Sequence, residues 1–460
     1  MAVIDLNKAR KLKAEDQMQK KRKLQDRKEL RDDVERYGHI DFPLLAVLIT
    51  LIAYGLIMLF SASMSSAYAA SGDPLNFVSR QAGFTLLGIV VCGIFLLLPI
   101  RKYNRFIFTV IVYIVCTLCL LGVMVAGVEG DYGAQRWLKI GPVQFQPSEM
   151  CKVAAIYCLA TYWPAMKQLR AKGFLTVKDN PRKDAQREAF IFFTFPACLM
   201  GIWMVLILAQ PHFSGAIIVF LLVLSLFLVA KLPGRIWVKG LMQLIPIILV
   251  GILLFVMIYP VLNPGESLIE KLGQRFAHVT SRLDTFSNPE EASRDSTHQT
   301  VQGRLALGAG GLTGKGLGKG RQKSGFLPMV YNDFILPSIG EELGFLGTLS
   351  VILLFMAFFI LGVKVSSNAR GLYYALMAWG GTFLIIIQAL LNIAVAAEVI
   401  PPTGISLPFF SYGGTSHVFM MLAASFVLSV SKTGQRVDKE LGRIILMERN
   451  YQRVVESRVK

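Results

Sequence analysis

The sequence predicts an all-α polytopic membrane protein with about ten transmembrane helices and a large extracellular loop between spans seven and eight. Three observations predict it. First, 54% of the 460 residues are hydrophobic and 17% charged, too little charge to clothe a soluble domain of this length. Second, the apolar residues run continuously rather than alternately, and a bilayer accepts such runs as helices, not as barrel strands. Third, the net charge of +18 gathers in the tails and in alternate loops. That is the pattern of positive-inside topology, so no nucleic-acid partner is expected.

In chain order, residues 1–41 are dense in both charge signs and read as a cytoplasmic tail with no cleavable signal peptide. Spans are expected near 42–62, 82–99, 106–127, 150–166, 189–209, 215–231, 240–262, 338–363, 372–395 and 411–430. They form a transmembrane domain over 42–431, and 432–460 form a basic cytoplasmic tail. Arg101, Lys102 and Arg105, the basic stretch Lys167–Arg187, then Lys231, Arg235, Lys239, Lys364 and Arg370 all fall on the side of the two termini. An even number of spans agrees with that orientation. The other face carries the loops 61–81, 127–149, 210–214, 261–337 and 396–410. The loop 261–337 is too long for a connector and is a functional candidate. The six cysteines lie in or beside apolar runs, and Cys116 and Cys119 lack a second ligand pair. Neither a disulfide framework nor a zinc site is expected.

Four outer segments concentrate the polar chemistry. In GAQRWLKIGP and the following QPSE, Arg136 and Lys139 suit an anionic headgroup, and Trp137 suits the membrane interface. Glu149 and Lys152, spaced i, i+3, either pair with each other or serve a site, and Pro147-Ser148 reads as a helix start. The run Gly308–Lys323 resembles a phosphate loop superficially. Neither Gly-Lys is followed by Ser or Thr, so a Walker motif is excluded. Its backbone and Lys315, Lys319, Arg321 and Lys323 could still cradle a pyrophosphate; a flexible cationic loop is the plain alternative. In the third segment Asp333 has three readings: helix N-cap, general base or divalent-cation ligand. Ser338 and Glu341 fit a capping box. The fourth segment, Pro401–Ser416, reads as a re-entrant loop that shapes a cavity.

GAQRWLKIGPVQFQPSE, GLTGKGLGKGRQKSGFLP, NDFILPSIGEELGFLG and PPTGISLPFFSYGGTS occur in this order, and together they resemble the signatures of the SEDS family (shape, elongation, division and sporulation). The resemblance runs from Phe42 to Ser431 and is nearest to the division branch, with the elongation and sporulation branches close. It implies a peptidoglycan glycosyltransferase that polymerises lipid II at the outer face of the bacterial cytoplasmic membrane, at the division septum. The transfer inverts the donor sugar and releases undecaprenyl pyrophosphate. Asp333 is then the base or a cation ligand. Arg136, Lys152 and the Lys315–Lys323 cluster neutralise the pyrophosphate, and Trp137 holds a sugar or lipid edge. A divalent cation (Mg or Mn) is admitted, and no organic cofactor is expected. Implied partners are a class B penicillin-binding protein and other division proteins. A lipid II flippase, an elongation polymerase and a scaffold for the penicillin-binding protein are the competing readings. The chain departs from the family wording at Met329, Tyr331 and Asn332, where Glu, His and Thr are usual, and at His212, where Asp is common. A site of several carboxylates around a metal is therefore less expected here.

Overall fold

The helix ends follow from local sequence. A computed structural model describes residues 39–98, 100–129, 135–141, 143–177, 179–262, 273, 294–323 and 330–433. The tail segments 1–38 and 434–460, most of 263–293 and Met329 lie outside the described residues. Helix α1 (Phe42–Ser71) starts where Asp41 accepts the Leu44 N–H at 3.1 Å, with proline in its first turn. It stops at Gly72, which is left-handed and turns the chain at no steric cost. Helices α2 (Asn76–Leu97) and α3 (Phe106–Ala126) follow. A small antiparallel sheet comes next: β1 (Val128–Glu129), β2 (Gln135–Ile140) and β3 (Val143–Phe145), in that spatial order. Helix α4 (Pro147–Ala171) begins on Pro147, where the missing N–H costs nothing. Helix α5 (Pro181–Ala189) passes through a π-helical turn, Phe190–Thr194, into α6 (Phe195–Ala209). The remaining helices are α7 (Phe213–Val229), α8 (Gly234–Leu262), α9 (Arg294–Gly310), α10 (Ile335–Ser367), α11 (Leu372–Ala396) and α12 (Thr415–Thr433).

Each expected span coincides with a helix. Eight helices among the described residues are long and apolar enough to cross a membrane. The other two sites are α7, apolar but 17 residues long, and α4, which carries Glu149, Lys152, Lys167 and Arg170. The protein is a multi-pass membrane protein. Three expectations change. The segment after α3 is a sheet rather than a plain loop. The connection read as 61–81 shrinks to four residues, because Ser61–Ser71 continues α1 as a small-residue helix. The stretch 261–337 contains α9, seated against α10.

Helices α10, α11 and α12 form the centre, with α1, α2, α4 and α7 around them. Lipid is as apolar as leucine, so close packing and polar contacts hold such helices together rather than water exclusion. Small residues allow that approach: Gly362 lies against Thr382, and Gly381 against the Ala423 carbonyl. Helix α8 is the opposite case. It packs on α5 and the π turn, and its 18-residue apolar window is only 6% buried.

Helix α10 is broken at Gly344 (φ 69°, ψ −163°), a conformation essentially confined to glycine. The break frees backbone groups that the loop after α9 satisfies. Phe345 N–H donates to the Gly311 carbonyl at 2.8 Å, and Leu346 N–H to Leu312 at 3.1 Å. In return, Lys315 and Gly316 N–H donate to the Glu341 and Glu342 carbonyls at 3.0 and 2.9 Å. A Cβ on Gly344 would lie 2.4 Å from the Gly314 nitrogen and 2.5 Å from the Leu312 oxygen. Gly344→Ala is therefore expected to cost about 1–3 kcal/mol from backbone strain alone, plus the displaced loop, read as a lowered thermal midpoint in detergent. Gly93→Ala, where a Cβ meets nothing within 4 Å, should leave the midpoint unchanged or slightly raised.

Candidate functional site

Asp333 lies in the turn Val330–Phe334 immediately before α10 and is 8% exposed. It does not cap that helix: the N-cap position is Phe334, and no side chain caps it. The capping box fails as well. Helix α10 starts at Ile335, which places Ser338 and Glu341 inside it. The Asp333 turn is held from α11. Asn392 Nδ2 donates to the Asp333 carbonyl and to the Ile405 carbonyl, both at 2.8 Å. Those two carbonyls fix the amide orientation, since only nitrogen can face them. Asn392 Oδ1 is buried and accepts no hydrogen bond from the described residues. Tyr331, at the position of the family's histidine, stacks on Phe77 with centroids 4.4 Å apart, and its carbonyl accepts Tyr412 N–H at 2.8 Å. The irregular backbone 397–414 passes beside the carboxylate: a Cβ on Gly404 would sit 3.9 Å from Asp333 Oδ2.

A second polar group forms where β2, β3 and α4 meet the α6–α7 turn. Lys152 is 1% exposed and lies 2.6 Å from Glu149 and 3.2 Å from Gln388, so the i, i+3 pairing is realised. The other Glu149 oxygen accepts Ser416 Oγ at 3.0 Å. Arg136 Nη2 donates to the Pro211 carbonyl at 2.5 Å, and Trp137 is half-buried beside it, opposite Val128. His212 Nδ1 lies 3.1 Å from Ser148 Oγ and 3.4 Å from Gln146 Nε2. The residue reaches the surface at one edge, yet protein atoms hem in its ring. That desolvation, then the Arg136 and Lys152 charges, push its pKa down to about 3. The ring is therefore neutral at neutral pH, chiefly because burial disfavours its charged form, with the two cations adding to that effect.

Two links bring this group to Asp333. Ser214 Oγ donates to the Thr403 carbonyl at 2.7 Å, sewing the His212 turn to the loop beside the carboxylate. Gln388 and Asn392 stand four residues apart on α11, about 6 Å along its axis. One meets Lys152 and the other the Asp333 turn. Arg136, Lys152 and Asp333, separate in sequence, thus surround one loop and one helix end.

The glycine-rich loop is arranged differently from expectation. Its donors point at the protein's own carboxylates. Glu341, 1% exposed, accepts Lys315 Nζ at 2.7 Å and the Arg321 and Gln322 N–H groups at 2.9 and 3.0 Å. Glu342, 0% exposed, accepts Lys323 Nζ and Ser61 Oγ, each at 2.5 Å, and Gly318 N–H at 3.1 Å. Lys323 also donates to the Ser61 carbonyl. The anion cradle that the sequence offered to a pyrophosphate is filled from within, and the loop is pinned rather than free. Of its four cations, Lys319 and Arg321 are the two whose side chains are exposed. Glu342, Ser61, Gln388 and Asn392 escaped the sequence reading. Two successive glutamates inside an apolar run were the available signal.

Among the described residues, no group of three or more His, Cys, Asp or Glu side chains could hold a metal ion. The donor set around Asp333 does not fit a multi-carboxylate cation site.

Comparison with known proteins agrees across the chain. A family model described as cell cycle protein, covering FtsW, RodA and SpoVE, matches residues 42–436. A Neisseria gonorrhoeae protein named "Probable peptidoglycan glycosyltransferase FtsW" is 30% identical over 420 residues, covering 86% of this chain and 85% of its own. A Geobacter sulfurreducens protein of the same name is 31% identical over 402 residues, covering 87% and 96%. Among solved structures, a peptidoglycan synthase complex described as coordinating polymerization and crosslinking contains a chain with TM-score 0.59 and 24% identity, covering 85% of this chain and 98% of that one. Thermus thermophilus RodA, a rod shape determining protein, gives TM-score 0.56 at 23% identity, covering 87% and 99%. These two likenesses establish the fold.

Two outcomes follow from the geometry. His212 binds a proton more weakly in the folded protein than at its ordinary value of 6.5. The unfolded chain then holds more protons between 6.5 and about 3, so stability falls as pH drops through that interval, by up to about 1.4 kcal/mol per pH unit. Thermal midpoints of wild type and His212→Asn across the interval should diverge toward acid, with the variant flatter. Glu342→Gln leaves Lys323 buried without its counter-charge and is expected to cost about 3–5 kcal/mol, read as a loss of detergent-stable, monodisperse protein.

Proposed function

We propose a function for this chain from one premise: it belongs to the FtsW, RodA and SpoVE family of cell cycle proteins. The chain is a peptidoglycan glycosyltransferase of the division type, which polymerises lipid II into glycan strands. The carrying observation is that a near-buried carboxylate, Asp333, is linked through α11 and the loop at Thr403 to the cluster that holds Arg136 and Lys152, at one end of a membrane bundle. Glycosyl transfer from a lipid pyrophosphate needs those two things. A base must take the proton of the acceptor 4-hydroxyl as that oxygen attacks C1, and positive potential must meet the charge that grows on the departing pyrophosphate.

Asp333 takes the proton. The Asn392 bond holds its backbone in place. Lys152 is too deeply buried to touch a substrate freely and acts through the field it adds. Arg136, together with the exposed Lys319 and Arg321, meets the pyrophosphate, and Trp137 lines the sheet where a sugar or lipid edge would rest. Lys315 and Lys323 brace the loop that carries Lys319 and Arg321. No step runs through a metal. Both termini lie in the cytoplasm, and the site end faces outward, where the acceptor strand grows. The solved complex that couples polymerization with crosslinking supports a class B penicillin-binding protein as partner at the division septum.

The test is glycan synthesis from lipid II by purified full-length protein, with its partner synthase present. Asp333→Asn and Asp333→Ala are expected to reduce product by roughly 10²–10⁴-fold while the thermal midpoint holds. Polymerisation at the wild-type rate by either variant would overturn the assignment. Lipid flipping that survives in Asp333→Ala while wild type makes no glycan would favour transport instead.

A further inference from the structure

A second cavity among the described residues lies away from Asp333. It measures about 490 Å³ and opens at the other end of α4, between α4, the π turn and the start of α8. Lys167 and Lys152, on the same helix, are 15 residues apart, about 22 Å along its axis. The two sites are separate.

The cavity has a charged side and an apolar side. Lys167, Arg170 and Lys231 face Glu188, with Phe192 and Ile236 forming the apolar wall. Arg170 bonds Asp184 and Glu188 through Nη2 at 2.8 and 3.4 Å. Its Nη1 is buried and has no hydrogen-bond partner among the described residues. A buried guanidinium nitrogen without an acceptor costs free energy, and an anion in the cavity would remove that cost. Lys231 supplies a second sign. It adopts φ 51° just past the end of α7, where glycine is the usual residue. A lysine held there is strained, and strain retained at one position argues for a use of the side chain. The wall points to the source of the anion. Helix α8 starts beside the cavity and leaves it with Val238, Leu241 and Met242 exposed at 61%, 46% and 68%. A free phosphate has no use for an apolar rail. A phospholipid does, since its chains can follow α8 while its phosphate meets the cations.

We propose that this cavity binds the phosphate headgroup of an anionic phospholipid from the leaflet at that end of the bundle, held by Lys167, the unpartnered Nη1 of Arg170 and Lys231. The lipid closes the gap between α4 and α8, the least buried of the eight long apolar helices among the described residues, and so anchors α8 to the core.

The test uses full-length protein in nanodiscs of phosphatidylcholine, with or without phosphatidylglycerol. Readouts are the lipid retained on gentle extraction, by native mass spectrometry, and the thermal midpoint. Wild type is expected to retain phosphatidylglycerol well above its share and to melt higher in its presence. Lys167→Gln and Lys231→Gly should each lose about fivefold in that preference. Lys231→Gly relieves the backbone strain, so it should melt no lower than wild type in phosphatidylcholine alone, which separates lipid loss from misfolding. Unchanged retention by both variants would overturn the proposal. So would equal retention of the two lipids by wild type, or the same stabilisation by inorganic phosphate in phosphatidylcholine nanodiscs.

Discussion

A charge removed from water inside a membrane bundle must be met by an opposite charge and by donors that use its remaining lone pairs. Glu342 shows how much of this structure answers that demand. It is fully buried and collects Lys323, Ser61 of α1 and the backbone N–H of Gly318. Glu341, one residue earlier, collects Lys315 and two further backbone N–H groups. These two carboxylates dock the glycine-rich loop on α10, and the break at Gly344 gives that loop backbone partners as well. The loop therefore has a defined shape, and Lys319 and Arg321 are presented from it rather than trailing in solvent. Asp333 stands two turns before Glu341 in sequence, so the docked loop and the carboxylate belong to one framed end of the bundle.

The same demand explains α11. An apolar helix that carries Gln388 and Asn392 on its buried side needs partners for both amides. It finds them in Lys152 of α4 and in the carbonyls of the Asp333 turn and the Ile405 loop. Each bond is worth little alone, about 0.5–1.5 kcal/mol. Their value is positional. They set the spacing between the positive cluster and the carboxylate from a single rigid rod, and a site built on helices holds its geometry better than one built on loops.

What the sequence revealed and what it hid divide along the range of the interactions. Apolar runs and Pro147 act within a few residues, so helix positions and the start of α4 were legible, whereas the end of α1 at Gly72 was not. The pairing of Glu149 with Lys152 was legible for the same reason. The nest around Glu341 and Glu342 joins residues about 20 positions apart, and Ser61 lies 281 positions from Glu342. No local pattern announces such contacts. The capping box at Ser338 and Glu341 misled because S-x-x-E describes a helix start without saying where the start is; Ile335 and Leu336 already belong to the helix. The small sheet around Trp137 was missed because its strands are two, six and three residues long, below the length at which alternation is readable.

The departures from the family wording gain a physical meaning from these contacts. At Tyr331, where the family resemblance led to the expectation of a histidine, the ring stacks on Phe77 while the carbonyl receives Tyr412 N–H. The side chain serves as an aromatic strut. At His212, where the family resemblance led to the expectation of an aspartate, burial first and then the Arg136 and Lys152 charges hold the ring neutral. An aspartate there would cancel part of that positive field, whereas the neutral imidazole leaves Glu149 as the carboxylate paired with Lys152. With histidine rather than aspartate at 212, one carboxylate that would compete with Asp333 for the surrounding cations is absent. Glu149 is engaged by Lys152 and Ser416, so Asp333, linked to this cluster through α11, is the carboxylate left to serve the proposed proton abstraction.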